Sequence, residues 1–285
     1  IKIEKALYSG AASLLREKRA ERVGFEGSAL TFAQHARLCE LASGAQLLDI
    51  GEKISAIRKI KDQSEIIKMK EAARLAEEAF FIARKLVKSG KSESDAAKSW
   101  YKAVAERGGS PSFDIIVAGG ANGAKPHAKP SGRIFEKGDL VVFDFGVTLD
   151  GYASDETVTL PVGRVSARKK EIYGVVLDAQ RAAIAAIKAA TPLSEVDKAA
   201  RAAIENKGYG DYFVHGTGHG VGLEIHEAPQ VNSLSTDAVS TGMVFTVEPG
   251  IYLSGDLGVR IEDTVMVVGS GVEFITSLPK ELYSL

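Results

Sequence analysis

Apolar residues recur at three- and four-residue steps through residues 54–87, as at Ile66, Met69, Ala73 and Ala76. That period predicts a long helix with one buried face. Ser64 is the expected N-cap of its second part, and Gly90 is the expected stop. Residues 1–24 read as a helix with a basic outer face that ends near Gly24. Residues 31–43 read as another, with Thr31 and Gln34 in the capping-box relation, and a short strand follows at 46–50. Ser92 and Asp95 frame a similar start for a helix through Trp100, which is assigned to the core. Two more helices are expected at 166–190 and 194–206, broken by Pro192 and closed by Gly208. Their alanine runs imply close helix packing. Apolar stretches at 113–118, 139–160, 243–252 and 258–268 read as strands.

The stretch 139–160 is the clearest hairpin, because Asp150-Gly151 is a strong two-residue turn signal. With that turn, Leu149 faces Tyr152 and Asp144 faces Thr157. Asp155 then lies diagonal to Asp144 on the same face, roughly 7–8 Å away. Carboxylates at that separation can share metals, whereas a three-residue turn would put them on opposite faces. Asp144 sits among Val141, Val142, Phe143 and Phe145, so its charge should have a cationic partner. Glu248 ends an apolar strand just before Pro249-Gly250. Glu262 lies inside GVRIEDTVMVV, with Arg260 alternating onto its face and able to pair with it.

The stretch HGTGHGVGLEIHE, 215–227, holds His215, His219 and His226, three of the chain's five histidines. Histidine binds metal through a neutral nitrogen or moves protons near neutral pH. Gly216, Gly218, Gly220 and Gly222 lie between them, and glycine permits close backbone approach. His127, after Pro126 in a Gly-rich loop, decides nothing alone. Hard carboxylates with one imidazole suit manganese, cobalt, iron or zinc. Two such ions can activate a water and polarise a carbonyl. No GxSxG elbow, P-loop or GxGxxG fingerprint competes.

Composition narrows the class. The 285 residues suffice for one large domain or two smaller ones, and the pattern changes near residue 56. Hydrophobic residues make up 45% and charged ones 26%, which excludes a disordered chain. A formal net charge of −1 argues against nucleic acid or an acidic membrane as partner. No apolar run has the length of a bilayer span, and no signal peptide opens the chain. The single cysteine, Cys39, rules out an internal disulfide framework and reads as a packing residue. A cytoplasmic protein is expected. The chain begins at Ile1 rather than methionine, so a missing N-terminal portion is also expected.

Five pieces together resemble the pita-bread metallopeptidases, in the Xaa-Pro dipeptidase (prolidase) and aminopeptidase P branch. They are Pro126-His127, DFGVTLDGYASD at 144–155, HGTGHGVGLEIHE at 215–227, VEPGIY at 247–252 and GVRIED at 258–263. The resemblance covers about 57–285. It implies an α+β fold, a curved antiparallel sheet backed by helices with an internal pseudo-twofold. Residues 1–56 resemble only the second half of the α/β domain that precedes it. It further implies that Asp144, Asp155, His219, Glu248 and Glu262 bind two divalent metal ions, with Asp155 and Glu262 bridging. Glu248 would also relay the proton of the attacking water, and His226 would stabilise the tetrahedral intermediate. His127 and His215 would contact substrate, and Arg260 would orient Glu262 and substrate. The implied substrates are small peptides with proline second, and the implied assembly is a homodimer. Methionine aminopeptidases share the ligands and fold, but GVRIED and His215 favour the proline branch. A non-catalytic peptide-binding homologue and a metal-free creatinase-like amidinohydrolase are disfavoured, because no ligand is lost.

Overall fold

A computed structural model describes residues 6–269 and 271–283. The chain forms two compact units, Ile1–Arg58 and Lys59–Leu285. In the first, α1 (Leu7–Glu17), β1 (Arg22–Phe25), α2 (Phe32–Leu41), β2 (Gln46–Asp49) and α3 (Gly51–Arg58) alternate. β1 and β2 pair in parallel, with Val23 opposite Leu47. The helix expected over 1–24 ends at Glu17, because Arg19 turns left-handed at φ 51° and β1 follows. Its first five residues lie outside the described ones. The capping box of α2 forms as expected: Gln34 N–H donates to Thr31 Oγ1, and Thr31 N–H donates to Gln34 Oε1. Cys39 is exposed, with Sγ 3.6 Å from His35 Nε2, so the packing assignment is corrected.

The long helix expected over 54–87 is two helices. Asp62, not Ser64, caps the second, because its carboxylate accepts the N–H groups of Ser64 and Glu65. In the second unit α4 (Gln63–Ala83) and α5 (Glu93–Ala105) lead into β3 (Ser110–Pro111), β4 (Ile116–Gly119), β5 (Leu140–Phe145), β6 (Val147–Leu149), β7 (Tyr152–Ala153) and β8 (Glu156–Pro161). The order then repeats. Helices α6 (Ala167–Ala186) and α7 (Leu193–Glu205) precede β9 (Gly218–Gly220), β10 (Glu227–Val231), β11 (Val244–Val247), β12 (Gly250–Leu253), β13 (Leu257–Arg260), β14 (Asp263–Val268) and β15 (Gly271–Phe274). Each helix pair covers antiparallel strands.

Two apolar cores result. Beneath α4 and α5, Phe80 stacks on Phe145 at 5.1 Å and meets Phe143 edge-on at 5.2 Å. Trp100 is fully buried there, as expected, and its Nε1–H reaches the Ala76 carbonyl at 3.4 Å. Beneath α6 and α7, Val176 and Ile204 pack with Phe245, Val259 and Val265.

The hairpin register is the expected one: Leu149 faces Tyr152 and Asp144 faces Thr157. Gly146 divides it, since a Cβ there would lie 2.0 Å from the Ser154 carbonyl oxygen. The strands accordingly enter two sheets, β4-β5-β8 and β3-β6-β7. The stretches 243–252 and 258–268 also divide, at Glu248-Pro249 and Ile261-Glu262. The first passes from the sheet β10-β9-β11-β14-β15 to the ribbon β12-β13, and the second returns from the ribbon to that sheet. The first predicted measurement concerns the core. Trp100→Ala should cost about 3–5 kcal/mol and lower Tm on the order of 10 °C by calorimetry. An unchanged Tm would show that this layer does not hold the unit together.

Candidate active site

The breaks in the strands are where the acids stand. β5 carries Asp144 in a continuous ladder. Asp155 precedes β8, Glu248 follows β11, and Glu262 lies between β13 and β14. His219 is the central residue of β9, and β9 can lie close to β11 only because Gly218 has no side chain. A Cβ there would sit 1.9 Å from the Thr246 carbonyl oxygen. These five residues line one cavity of about 440 Å³, together with His127, His215, His226 and Arg260. All nine site residues read from the sequence therefore face one space.

Ligand atoms of Asp155, His219 and Glu262 lie within 4.8 Å of one another. His219 Nε2 is 3.3 Å from Glu248 Oε1 and 3.5 Å from Asp155 Oδ2. His219 Nδ1–H donates to the Gly220 carbonyl at 3.1 Å, which turns Nε2 toward Glu248 and Asp155. Thr246 Oγ1 donates to Glu248 Oε1 at 3.2 Å and accepts from His219 N–H at 3.1 Å. Asp144 Oδ2 takes Arg260 Nη2–H, while its buried Oδ1 has no hydrogen-bond partner among the described residues. The cation expected for Asp144 is thus Arg260.

The pairing of Glu262 with Arg260 that alternation allowed is replaced by an indirect link. Arg260 Nε–H reaches Thr157 Oγ1 at 3.3 Å, and Thr157 Oγ1–H donates to Glu262 Oε2 at 2.6 Å. The guanidinium is drawn toward Asp144 and the Tyr252 hydroxyl instead.

Charge is badly balanced in this space. Burial first, then repulsion from Glu248 and Asp144, pushes Glu262 well above the usual carboxylate range. Burial and the charge of Glu262 do the same to Asp155. Asp144 rises by burial in spite of Arg260. Glu248 goes the other way: burial opposes ionisation, but the hydrogen bond and charge of His219 hold it low. The same bond keeps His219 raised against the effect of burial. Hard oxygens, one imidazole whose Nε2 is fixed toward the acids and an unpartnered carboxylate oxygen suit a divalent cation.

His215 differs from the other histidines. Its Nδ1–H donates to the Gly216 carbonyl at 2.8 Å, so its Nε2 accepts from the Tyr252 hydroxyl, also at 2.8 Å. Both nitrogens are occupied, and burial lowers its pKa, so a neutral ring faces the cavity. His226 lies beside His219, with ring centroids 4.3 Å apart, and the partial loss of solvent around its ring, then that neighbour, lower its pKa. His127 is exposed at the mouth.

Three supports escaped the sequence reading. Tyr252 accepts from Arg260 Nη1 at 2.8 Å and ties it to His215. Thr157 joins Arg260 to Glu262. Buried Asp197 accepts from Thr217 N–H and Oγ1–H and pairs with Arg201, which also reaches the His215 carbonyl. Tyr252 was visible within VEPGIY, but it reads equally as a core aromatic.

Antiparallel strands backed by helix pairs around a cluster of acids and one imidazole define a metallohydrolase, and the chain belongs to metallopeptidase family M24. The pattern of that family matches residues 67–268, and that of the creatinase/prolidase N-terminal domain matches residues 2–60. The fold is the pita-bread α+β fold. The chain is 42% identical to an uncharacterized peptidase, YqhT, of Bacillus subtilis over 98% of its own length and 80% of that protein's. It is 39% identical to the Xaa-Pro dipeptidase of Pyrococcus furiosus, over 93% and 76% of the two chains. The solved structure of the Xaa-Pro dipeptidase from Bacillus anthracis superimposes with a TM-score of 0.94 at 41% identity, over 99% of this chain and 79% of that one.

Asp144→Asn, His219→Ala and Glu262→Gln should each weaken divalent-metal binding at least about tenfold, with circular dichroism unchanged. Tight binding retained in any of the three removes that residue from the ligand set.

Proposed function

We propose that the protein is a two-metal exopeptidase that hydrolyses the bond between an N-terminal residue and a following proline. The observation that carries this is the meeting of Asp144, Asp155, His219, Glu248 and Glu262 around one cavity that a neutral, fully bonded His215 ring also lines. The five would hold two ions of manganese, cobalt, iron or zinc, with Asp155 and Glu262 shared between them. Ions held there supply Lewis acidity toward the scissile carbonyl and a nucleophile at neutral pH.

The chain's own groups do the rest. Glu248, kept ionised, accepts a proton from the attacking water and passes it to the departing proline nitrogen. His226, kept neutral, donates an N–H to the oxyanion of the tetrahedral intermediate. His127 contacts the substrate from the mouth. A peptide bond to proline has no N–H, so the site needs no acceptor at that point. His215 has no free donor or acceptor to offer, and its ring suits the apolar pyrrolidine. Arg260 orients Asp144 directly and Glu262 through Thr157.

The same reading assigns 57–285 to the catalytic domain and 1–56 to the second half of an N-terminal α/β domain. It makes the enzyme a cytoplasmic homodimer. Leu7 and Phe32, 74% and 89% exposed, are apolar surface that another chain would cover. No helix among the described residues is long and apolar enough to cross a membrane.

Two measurements test the reading. His226→Ala should keep its metal but lose about 10²-fold or more in kcat, as loss of an oxyanion donor typically does. Loss of metal instead would make His226 a ligand. Xaa-Pro substrates should exceed matched Xaa-Ala substrates at least about tenfold in kcat/KM, roughly 1.4 kcal/mol of transition-state binding. Equal rates would replace the proline reading with a general aminopeptidase.

A further inference from the structure

Asp155 and Glu262 lie at strands of different sheets. β8 pairs with β5, and β14 pairs with β11 and β15, so no ladder sets the distance between the two acids. Hydrogen bonds cross the gap near them, among them that of Thr157 Oγ1–H to Glu262 Oε2. Glu262 N–H donates to the Thr157 carbonyl at 3.1 Å, and Thr264 Oγ1–H donates to the Asp155 carbonyl at 2.8 Å.

A further connection lies behind the cavity. Alternation along a strand turns successive side chains to opposite faces. The residues after the two acids are also acids, Glu156 and Asp263, and both are buried. One cation meets both: Lys280 Nζ pairs with Glu156 Oε1 and lies 3.2 Å from Asp263 Oδ1.

Lys280 belongs to the irregular segment after β15, yet it is only 8% exposed. The Tyr173 hydroxyl donates to its carbonyl at 2.6 Å. Leu278 N–H donates to the same Glu156 oxygen at 3.2 Å. Asp263 accepts further from Thr276 Oγ1–H and Gln180 Nε2–H, each at 2.8 Å. No other cation pairs with Glu156 or Asp263 among the described residues. Taking Lys280 away leaves two buried carboxylates facing each other across the junction of two sheets, an uncompensated arrangement that the strands can relieve only by shifting.

We propose that Lys280 is a positioning residue of the metal centre, setting the separation of Asp155 and Glu262 by clamping Glu156 and Asp263 behind them. The inference rests on the reading of Asp155 and Glu262 as shared metal ligands. It makes the segment after β15 part of the site's construction, although that segment contributes nothing to the cavity wall.

The test is calorimetric titration of Mn²⁺ into the metal-free full chain, with a thermal melt of each sample. Glu77→Gln serves as the structural control. Glu77 anchors the same segment, accepting Ser277 N–H at 2.6 Å and Ser277 Oγ–H at 2.5 Å, and acts on Glu156 only through its charge. Wild type should take two Mn²⁺. Lys280→Met should bind Mn²⁺ about 10- to 100-fold more weakly at one or both positions. Lys280→Arg should recover most of that loss. Glu77→Gln should lower Tm and leave Mn²⁺ affinity within about twofold of wild type. If Lys280→Met does not fold, Glu156→Gln and Asp263→Asn each remove one arm of the clamp and should each weaken binding about tenfold. Wild-type affinity and stoichiometry in Lys280→Met, or in both one-arm variants, overturns the proposal. So does an equal loss in Glu77→Gln, which would make the effect one of general stability. A wild type that binds no Mn²⁺ overturns the metal reading beneath it, an outcome recognisable before any variant is measured.

Discussion

The structure depends on holding several carboxylates close together out of water. Desolvating an ionised group costs several kcal/mol, and neighbouring like charges add to that cost. One guanidinium, that of Arg260, lies among Asp144, Asp155, Glu248 and Glu262. The protein alone leaves that charge unbalanced, and Asp155 and Glu262 respond by favouring their protonated forms. A divalent cation reverses this preference, so metal binding and proton release are linked, and metal binding adds to the stability of this unit.

Such a cluster cannot be built on one regular strand, where neighbours alternate between faces. The fold brings three strand ends, the interior of β5 and the centre of β9 together, and it breaks strands beside the cavity to do so. Glu248 and Glu262 stand at breaks where the chain passes between a sheet and the ribbon β12-β13, and Asp155 stands just before β8. The helix pairs α4–α5 and α6–α7 bury the opposite faces with Phe80, Trp100, Val176 and Ile204. That apolar burial offsets what the acids cost.

Around the acids, several polar partners each serve two residues. Thr246 serves both His219 and Glu248, Thr157 serves both Arg260 and Glu262, and Tyr252 serves both Arg260 and His215. Sharing fixes relative position better than separate partners would, because displacing one residue disturbs two. The same logic holds behind the cavity, where Lys280 serves Glu156 and Asp263.

Local chemistry was legible in the chain alone. The capping boxes at Thr31 and Ser92, the turn at Asp150-Gly151 and the register that puts Asp144 opposite Thr157 all depend on residues within a short span. Nine residues that line the cavity also stood out, because acids inside apolar strands and histidines between glycines are conspicuous in a sequence. The partners were not legible. Arg260 could have taken Glu262, two residues away, yet it pairs with Asp144, 116 positions distant. The cap at Asp62, the strand β1 and the outward face of Cys39 were misread for a related reason: side chains with several acceptable local partners leave the choice to surroundings. Sequence determined which residues could do chemistry, through composition and period. Only the tertiary structure decided which of them meet, because a buried charge takes whatever partner the packing of distant strands brings within reach.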